Sequence, residues 1–319
     1  MKIWDIKKIR EQISRRLPEG RVVPRHTKEG HFYEVLDGDL NISPPPIYPS
    51  VTGKLQILKD EGLMNYKMNQ AIKYVFAHYS SFNDSNVMEH LDAASRVSQD
   101  ILEDAGDIGT RVHNIRQTIF EQWIKTGKKP TNYPSFIPEV EYDIRAVSAL
   151  RALEQFVNDY DYRPVATEML VYNHEYEVAG TLDDIGLIKQ VLKEGVADCA
   201  HDEIVCNQKT GKYTCIKCGY QYRDQLVLLD LKTSNQFKDH YFFQVAMYWW
   251  MFWKIIGIDH KPEKCLILKV SKEDGRYKIE DLKMPARLAG YAKHMLRTKE
   301  GMEFIRELRK DNQRNVVKI

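Results

Sequence analysis

The sequence predicts an α+β protein in which helices come first and a mixed central sheet flanked by helices follows. Residues 51–126 carry apolar side chains at three- and four-residue spacing, which is typical of amphipathic helices. Beyond residue 160 the apolar residues form short β-branched runs, alternating or continuous, which are typical of strands. Residues 240–256 are apolar almost throughout, as expected for a helix that packs against a sheet.

The first part of the chain predicts one helix, one hairpin and a connector. Residues 1–17 combine apolar and charged residues at helical spacing and predict an amphipathic helix. Residues 31–42 predict a short hairpin with its turn at Asp37 and Gly38. The prolines of residues 44–50 exclude a helix there and predict a stiff connector.

The remainder of the chain predicts mainly strands, with helices before, between and after them. A connector rich in Pro and Gly, residues 126–139, precedes one more amphipathic helix near residues 139–158. The continuous apolar run QLVLLDL, residues 225–231, is typical of a central strand buried on both faces. The other predicted elements are neighbouring strands at 163–173 and 176–188, strands at 264–271 and 276–284, and a long charged helix from about residue 286.

Length and composition predict an ordered protein with a sizeable core. The chain has 319 residues, of which 43% are hydrophobic, and a formal net charge of +2. This charge leaves the partner open, because a phosphate-binding groove needs only a local cluster of cations. We expect an N-terminal segment and helical subdomain over residues 1–160, a core over residues 161–319, and a module inserted into that core at residues 197–224.

The cysteines and the lack of long apolar segments predict a cytoplasmic protein. Residues 1–17 are interrupted by charges, unlike a signal peptide, and we expect no membrane-spanning segment. Four of the five cysteines fall between residues 199 and 218, and in a reducing compartment such clustering favours a metal over disulfides. Cys265 stands apart in a strand-like run and is expected to be an inert core thiol.

The predicted central strand ends with Asp230 and Lys232, two positions apart. Side chains two apart on a strand point to the same face, so the acid and the base project together. Alone, the pair is typical of an exposed salt bridge at a strand end. Asp183 ends the strand expected beside it, so two carboxylates and an ammonium can converge. Carboxylates suit Mg²⁺ or Mn²⁺, which activate water for attack on a phosphate, and a lysine would orient that water or neutralise the phosphate.

The motifs GTLD and DLKT, which contain Asp183 and Asp230, resemble those of the PD-(D/E)XK nucleases. Within that superfamily the chain is similar to the RecB-like exonuclease branch of phages, CRISPR adaptation nucleases and the mitochondrial genome maintenance exonuclease. The similarity covers most of residues 47–256. It implies a restriction-endonuclease-like α/β core, with Asp183 and Asp230 as metal ligands assisted by the backbone carbonyl of Leu231, and with Lys232 as a catalytic residue.

Two further motifs support the resemblance. QVAMY carries Gln244 and Tyr248 on one helical face, which in RecB-like nucleases looks at the active site and the DNA phosphates. GDIGTRVH resembles a helix start whose histidine is a metal ligand, which implies that role for His113. Glu168 matches an acid on the preceding strand that orients the metal or the lysine. Without the resemblance, Tyr248 is typical of a core aromatic, and His113 of a surface or hydrogen-bonded histidine.

The segment YPSVTGK resembles the start of the helical arch in the mitochondrial branch, so Ser50, Thr52 and Lys54 are predicted DNA contacts. Ser50 and Thr52 would cap a helix N-terminus, which attracts phosphates, but capping alone explains them equally well. Aromatic and basic residues of the arch are expected to stack bases and follow the backbone. They are Tyr66, Lys67, Lys73 and Tyr74.

A module stands between Asp183 and Asp230, where the family usually has a short turn. It contains a Cys-x-His pair, a predicted hairpin and a Cys-x-x-Cys-Gly knuckle, a pattern close to that of a zinc ribbon. The Zn²⁺ ligands that we favour are Cys199, His201, Cys215 and Cys218. The alternative replaces Cys199 or His201 with Cys206. The module is either a hairpin too small to fold without metal or a DNA-contacting finger. The basic residues of such a finger are Lys209, Lys212, Lys217 and Arg223.

Together these features predict a Mg²⁺- or Mn²⁺-dependent DNA exonuclease that hydrolyses phosphodiester bonds. Single-stranded DNA or DNA ends are the expected substrate, in replication, recombination or repair. The resemblance to phage enzymes implies a phage protein acting in the cytoplasm of a bacterial host. The alternatives are a structure-specific endonuclease of the same fold and a catalytically inactive DNA-binding or scaffold protein. DNA is the expected partner, and no membrane contact is expected.

Overall fold

The computed structural model describes residues 3–27, 30–36, 43–55, 61–83, 85–196, 198–234 and 236–298. It confirms the α+β class, with helices around a mixed sheet. The helices are α1 (Ile6–Arg16), α2 (Val51–Lys54), α3 (Glu61–His78), α4 (Val87–Thr126), α5 (Ile144–Asp159), α6 (Asp239–Ile256) and α7 (residues 285–298). The strands are β1 (Val22–Thr27), β2 (Gly30–Val35), β3 (Ile47–Pro49), β4 (Arg163–Asn173), β5 (Val178–Lys193), β6 (Ile204–Asn207), β7 (Lys212–Cys215), β8 (Gln221–Lys232), β9 (Lys264–Val270) and β10 (Tyr277–Asp281).

The main sheet has seven strands. Its path runs β10-β9-β8-β5-β4, and the hairpin of β6 and β7 joins it at the start of β8. β8 pairs antiparallel with β5 and parallel with β9, so the sheet is mixed. The apolar run of β8 is therefore the central strand that the sequence predicts.

Helices cover both faces of the main sheet. On one face, Leu226 and Leu228 of β8 belong to a core cluster with residues of α1, α6 and α7. On the other face, Leu229 and Leu231 belong to a cluster with α5 and the second half of α4. Burial on both faces explains why β8 is continuously apolar instead of alternating.

A small second sheet lies between α1 and α2 in the chain, and sequence reasoning missed most of it. Its strands run in the order β1-β2-β3, all antiparallel. The predicted turn at Asp37 and Gly38 lies outside the described residues, and β2 pairs backward with β1 as well as forward with β3. The proline-rich connector is not helical, as predicted, but Ile47–Pro49 is a paired edge strand, a position that tolerates proline.

The predicted helices of residues 51–126 are present as α2, α3 and α4. α4 alone spans 40 residues and ends at Gly127, whose left-handed backbone caps it. The first half of α4 is largely exposed, whereas its second half packs under the sheet, with Val112 and Ile119 fully buried. α4 therefore links the outer helices to the core. None of the helices in the described parts of the chain is long and apolar enough to cross a membrane.

Candidate functional site

Ionisable residues from four elements meet at the end of β8. His113 of α4, Glu168 of β4 and Asp183 of β5 each have a donor atom within 4.8 Å of the other two. The end of β8 adjoins them, because the backbone N–H of Leu231 donates a hydrogen bond of 2.7 Å to Asp183 Oδ2. The fold thus brings together side chains that are distant in the sequence.

The acid and the base of β8 form a buried pair beside this cluster. Asp230 is 1% exposed, and Lys232 Nζ lies 2.7 Å from its Oδ2. Burial raises the pKa of Asp230 to about 6, against the opposing effect of the Lys232 charge. The ring of Tyr241 lies 4.9 Å from the ammonium and favours its charged form. The pair is therefore not the exposed salt bridge that the strand end alone favours.

Asp183 is surrounded by positively polarised groups. Besides the Leu231 N–H, its Oδ2 lies 3.8 Å from His113 Nδ1 and 4.0 Å from Arg116 Nη1. Burial acts to raise the pKa of Asp183, but His113, Arg116 and Lys232 outweigh it, so this pKa lies below its ordinary value. The carboxylate is therefore ionised at neutral pH and available as a metal ligand.

His113 is half-buried on α4 and faces the cluster. Burial lowers the pKa of His113 to about 4, although Asp183 opposes the shift. The imidazole is thus neutral at pH 7 and keeps a lone pair for a metal. Gly109 lies one turn earlier, and a Cβ there would be 2.8 Å from Thr233 Oγ1. This glycine lets α4 approach the end of β8 and accounts for its place in the GDIGTRVH segment.

Glu168 lies on the edge strand β4 with a left-handed backbone, at φ 49°. A non-glycine residue in that region costs about 1–3 kcal/mol, and such residues cluster at functional sites. Burial raises the pKa of Glu168 to about 7, which the charge of Arg116 opposes. Its carboxylate accepts a hydrogen bond from Arg116 Nη2. The structure therefore brings Glu168 to the site that the resemblance implies for it.

Sequence reasoning missed two residues of the site, Arg116 and Asp184. Arg116 is fully buried, and its terminal nitrogens donate to Asp184 Oδ2 and Glu168 Oε1. Burial raises the pKa of Asp184 to about 6. A signal for both was present. Arg116 follows His113 by three positions and so shares its helical face, and Asp184 directly follows the GTLD motif.

The donor set fits a hard divalent cation. In the part of the chain that the structure describes, four carboxylates of the cluster face two permanent cations, so full ionisation leaves an excess of two negative charges. Buried excess charge requires compensation by protons or by a cation. Asp230 Oδ2 also accepts no well-directed hydrogen bond, although the Lys232 ammonium contacts it. Carboxylates with one imidazole suit Mn²⁺ and, with water ligands, Mg²⁺.

Gln244 and Tyr248 lie on the same face of α6, as their four-residue spacing predicts. Gln244 Nε2 lies 2.9 Å from Thr52 Oγ1 and 3.3 Å from the Tyr248 hydroxyl, so the amide has the partners that an apolar helix requires. Burial raises the pKa of Tyr248, and the nearby Asp230 adds to the shift. A Cβ on Gly180 would lie 2.7 Å from the Tyr248 ring, which explains the glycine of GTLD.

The side chains at α2 that are predicted to contact DNA already have partners within the protein. Ser50 Oγ caps α2 by accepting the Gly53 N–H at 2.9 Å, as a pure capping role requires. Lys54 is 9% exposed, and its ammonium donates to the Tyr176 carbonyl at 3.1 Å. Thr52 is exposed and joins α2 to Gln244. The role of these residues in binding DNA stays a prediction.

The inserted module holds a second cluster, formed by the four ligands that the sequence favours. Cys199 Sγ lies 3.7 Å from Cys215 Sγ, and Cys218 Sγ lies 3.2 Å from His201 Nδ1. All four donor atoms lie within 4.8 Å of one another. Two thiolates on one tetrahedral zinc are about 3.8 Å apart, given Zn–S bonds of about 2.3 Å. The cluster can therefore bind a metal such as zinc.

The backbone around this second cluster favours the thiolate form of one of its cysteines, Cys218. Burial raises the pKa of the Cys218 thiol, but backbone N–H groups of Tyr220 and Val196 outweigh it and lower the pKa to about 6. Gly195 passes so close that a Cβ there would lie 2.7 Å from Cys218 Sγ. Cys206, the alternative ligand, lies on β6 outside the cluster.

Comparisons with known proteins add no family to this chain. No protein-family model matches it, and no curated protein sequence matches it significantly. The resemblance to the PD-(D/E)XK nucleases stays a prediction from the motifs, and the geometry of the two clusters carries the functional inference.

Proposed function

We propose that the chain is a Mg²⁺- or Mn²⁺-dependent deoxyribonuclease of the PD-(D/E)XK type, acting as an exonuclease on single-stranded DNA or DNA ends. One observation carries the proposal: His113, Glu168 and Asp183 converge beside the buried pair of Asp230 and Lys232. These residues come from α4, β4, β5 and β8, so local sequence alone does not explain their meeting.

A purely structural role accounts poorly for this cluster. Buried ion pairs contribute little to stability, because desolvation offsets the attraction between the charges. Here the acids outnumber the cations, and burial raises the pKa of Glu168 to about 7 and those of Asp184 and Asp230 to about 6. Perturbed pKa values of this kind are typical of sites that bind or react.

In the proposed reaction each side chain has a distinct role. His113, Asp183, Asp230 and Glu168 would hold the divalent cation, which supplies a water of lowered pKa and stabilises charge on the phosphate. Burial acts to lower the pKa of Lys232, but Asp230 and Asp183 raise it above its ordinary value. Lys232 therefore stays a cation and would orient the water or neutralise the phosphate as negative charge builds on it.

The charges of the outer helices favour a particular path for DNA. Lys67 and Lys73 lie on α3, with the half-buried rings of Tyr66 and Tyr74 among them. This combination supports binding of a single strand, whose bases stack on aromatic rings. The first half of α4 would repel a phosphate backbone, because its exposed acids outnumber its one arginine. These acids are Glu89, Asp92, Asp100 and Glu103, while Asp104 pairs with Arg145 of α5.

A cleavage assay tests the proposal. End-labelled linear single strands, linear duplex and circular single strands are incubated with Mg²⁺ or Mn²⁺. The wild type is expected to degrade linear strands, and Asp230→Asn and Lys232→Met to slow cleavage by about 100-fold or more. Cleavage of circular strands would instead identify an endonuclease. If the protein bound DNA but did not cleave it with either metal, the chain would be a catalytically inactive DNA-binding protein.

Asp224→Asn is a matched control for Asp230→Asn. Asp224 lies on the same strand, is 6% exposed and pairs with Arg163, much as Asp230 pairs with Lys232. It does not belong to the cluster, so the folded variant should keep the wild-type cleavage rate. If both variants cleaved DNA equally slowly, the slower cleavage would result from the loss of any buried acid and not from a change in the candidate site.

We further propose that the Cys/His cluster holds a structural Zn²⁺. Four protein ligands fill a tetrahedral site and leave no position for a substrate. The strands β6 and β7 have four residues each, too few for a hairpin to be stable alone. Zinc content of purified protein tests this. Cys215→Ser should lose stoichiometric zinc, and Cys206→Ser should retain it. Retention of zinc by Cys215→Ser would contradict the ligand set.

A further inference from the structure

Arg116 forms a bridge inside the acidic cluster. Its side chain is fully buried, with Nη1 bound to Asp184 Oδ2 and Nη2 bound to Glu168 Oε1. Nη1 also lies 4.0 Å from Asp183 Oδ2. The planar guanidinium can hold two carboxylates at once in fixed directions, which the compact ammonium of a lysine cannot do.

The two carboxylates bound by Arg116 differ in their surroundings. Asp184 is fully buried, with its backbone paired to Thr167 of β4 and Leu229 of β8. It therefore anchors the guanidinium from the interior of the sheet. Glu168 belongs instead to the group with His113 and Asp183. Asp184 thus fixes Arg116, and Arg116 fixes Glu168.

Glu168 lies at the border between the cluster and an open cavity. It lies on an edge strand and lines a cavity of about 530 Å³ between β4, the end of α1 and the start of β1. Its side chain is 25% exposed, and in the described residues Arg116 is the group that donates a hydrogen bond to it. Without this bond the carboxylate would gain hydration by turning into the cavity, away from His113 and Asp183.

Arg116 also sets the charge of the cluster. It stays protonated at any accessible pH and is one of the two permanent cations that face the four carboxylates. The remaining excess of two negative charges equals the charge of one divalent cation. A second divalent ion would leave buried positive charge, and Asp184, whose carboxylate is engaged by Arg116, lies outside the group of His113, Glu168 and Asp183.

We propose that Arg116 is a positioning residue that holds Glu168 toward His113 and Asp183 and limits the site to one divalent cation. The inference rests on the proposed function, because it assumes the metal site described above. If Arg116 only served stability, Asp184 would be a sufficient partner and the bond to Glu168 would be unnecessary. Two apolar side chains in place of Arg116 and Asp184 would give similar stability.

Binding of Mn²⁺ to the zinc-loaded full chain tests the proposal, with free Mn²⁺ followed by electron paramagnetic resonance. The wild type should bind one Mn²⁺ at the cluster. Arg116→Lys keeps the charge but cannot bridge two carboxylates, so its affinity should fall by about 10–100-fold. Arg111→Lys is the matched control on the same helix, because Arg111 is partly exposed and contacts Glu141. It should bind Mn²⁺ as the wild type does.

Two further variants separate positioning from charge and from folding. Arg116→Met combined with Asp184→Leu removes one cation and one acid, so the excess charge is unchanged and the core stays packed. Its Mn²⁺ affinity should still fall, because Glu168 loses its donor. In a Glu168→Gln background, Arg116→Lys should cause no further loss, since the residue through which it acts is already absent.

Failure of this inference and failure of the proposed function give different results. If the wild type binds one Mn²⁺ and cleaves DNA, but Arg116→Lys binds Mn²⁺ equally well, the role of Arg116 is wrong and the function stands. Two Mn²⁺ ions in the wild-type cluster would likewise overturn the limit to one cation. If the wild type binds no Mn²⁺, the proposed function is wrong and this inference falls with it.

Discussion

Gly180, the first residue of GTLD, is buried against Tyr248, and its replacement by alanine tests the packing behind the candidate site. A Cβ at this position would lie 2.7 Å from both Cε1 and the hydroxyl oxygen of Tyr248. The ring is 3% exposed and belongs to the core cluster between β5 and α6. It cannot yield without moving α6, so we expect Gly180→Ala to destabilise the protein.

The magnitude follows from two opposing terms. Overpacking a well-packed core costs about 1–3 kcal/mol. Replacing glycine restricts the unfolded chain and returns about 0.4–1 kcal/mol. The φ of Gly180 lies outside the left-handed region, so alanine adds no backbone strain. We expect a net loss of roughly 1–2 kcal/mol in the free energy of unfolding.

Urea unfolding of the wild type and the variants measures this loss. Gly106→Ala is the matched control, because Gly106 is exposed on α4 and a Cβ there would meet no atom within 4 Å. It should stabilise the protein by about 0.5–1 kcal/mol through helix propensity. Adding Tyr248→Leu should make Gly180→Ala less costly, since the ring is removed. A Gly180→Ala variant as stable as the wild type would refute the close packing of Gly180 against Tyr248.

Other perturbations test a helix contact, the zinc cluster and a buried ion pair. Gly109→Ala should lower the melting temperature and the Mn²⁺ affinity, because its Cβ would lie 2.8 Å from Thr233 Oγ1, and Thr233→Ala should restore both. Chelation of zinc should make residues 197–224 sensitive to protease before the core unfolds. If the module and the core instead unfold together, the module is not a separate unit. Arg163→Ala leaves Asp224 buried without this cation and should cost about 2 kcal/mol at pH 7, after allowance for solvent screening. Burial raises the pKa of Asp224. The folded state therefore keeps a proton on Asp224 at pH values where the unfolded chain has lost it. The loss of unfolding free energy caused by Arg163→Ala, measured in urea, should shrink as the pH falls toward 4. A loss independent of pH would contradict this.

Local patterns were sufficient for most of the secondary structure. β8 and α6 are both continuously apolar and differ in the length of their apolar run, which separates a buried strand from a buried helix. β1 escaped prediction because it contains a proline and is largely exposed, and β3 because it lies inside a proline-rich connector. Short edge strands are stabilised by pairing with β2, which is a property of the partner and not of their own sequence.

The two clusters differ in how many of their residues could be predicted from the sequence. The candidate Cys/His ligands lie at the base of one hairpin or beside it, so their spacing alone brings them to one point and already favoured the four that converge. The acidic cluster draws on α4, β4, β5 and β8. Strand spacing indicated Asp183, Asp230 and Lys232, whereas His113 and Glu168 were identified through motifs that resemble a known family. Motifs alone did not indicate that the Lys54 ammonium binds the Tyr176 carbonyl inside the fold.

The sequence by itself determined most element types, the central place of β8, the shared face of Asp230 and Lys232, and the favoured candidate ligands of the inserted module. All of these depend on spacings within one or two neighbouring elements. Only the tertiary structure revealed Arg116 as the bridge between Asp184 and Glu168. The physical reason is that a buried charge is tolerable only with partners of opposite charge, and here those partners come from strands far away in the chain.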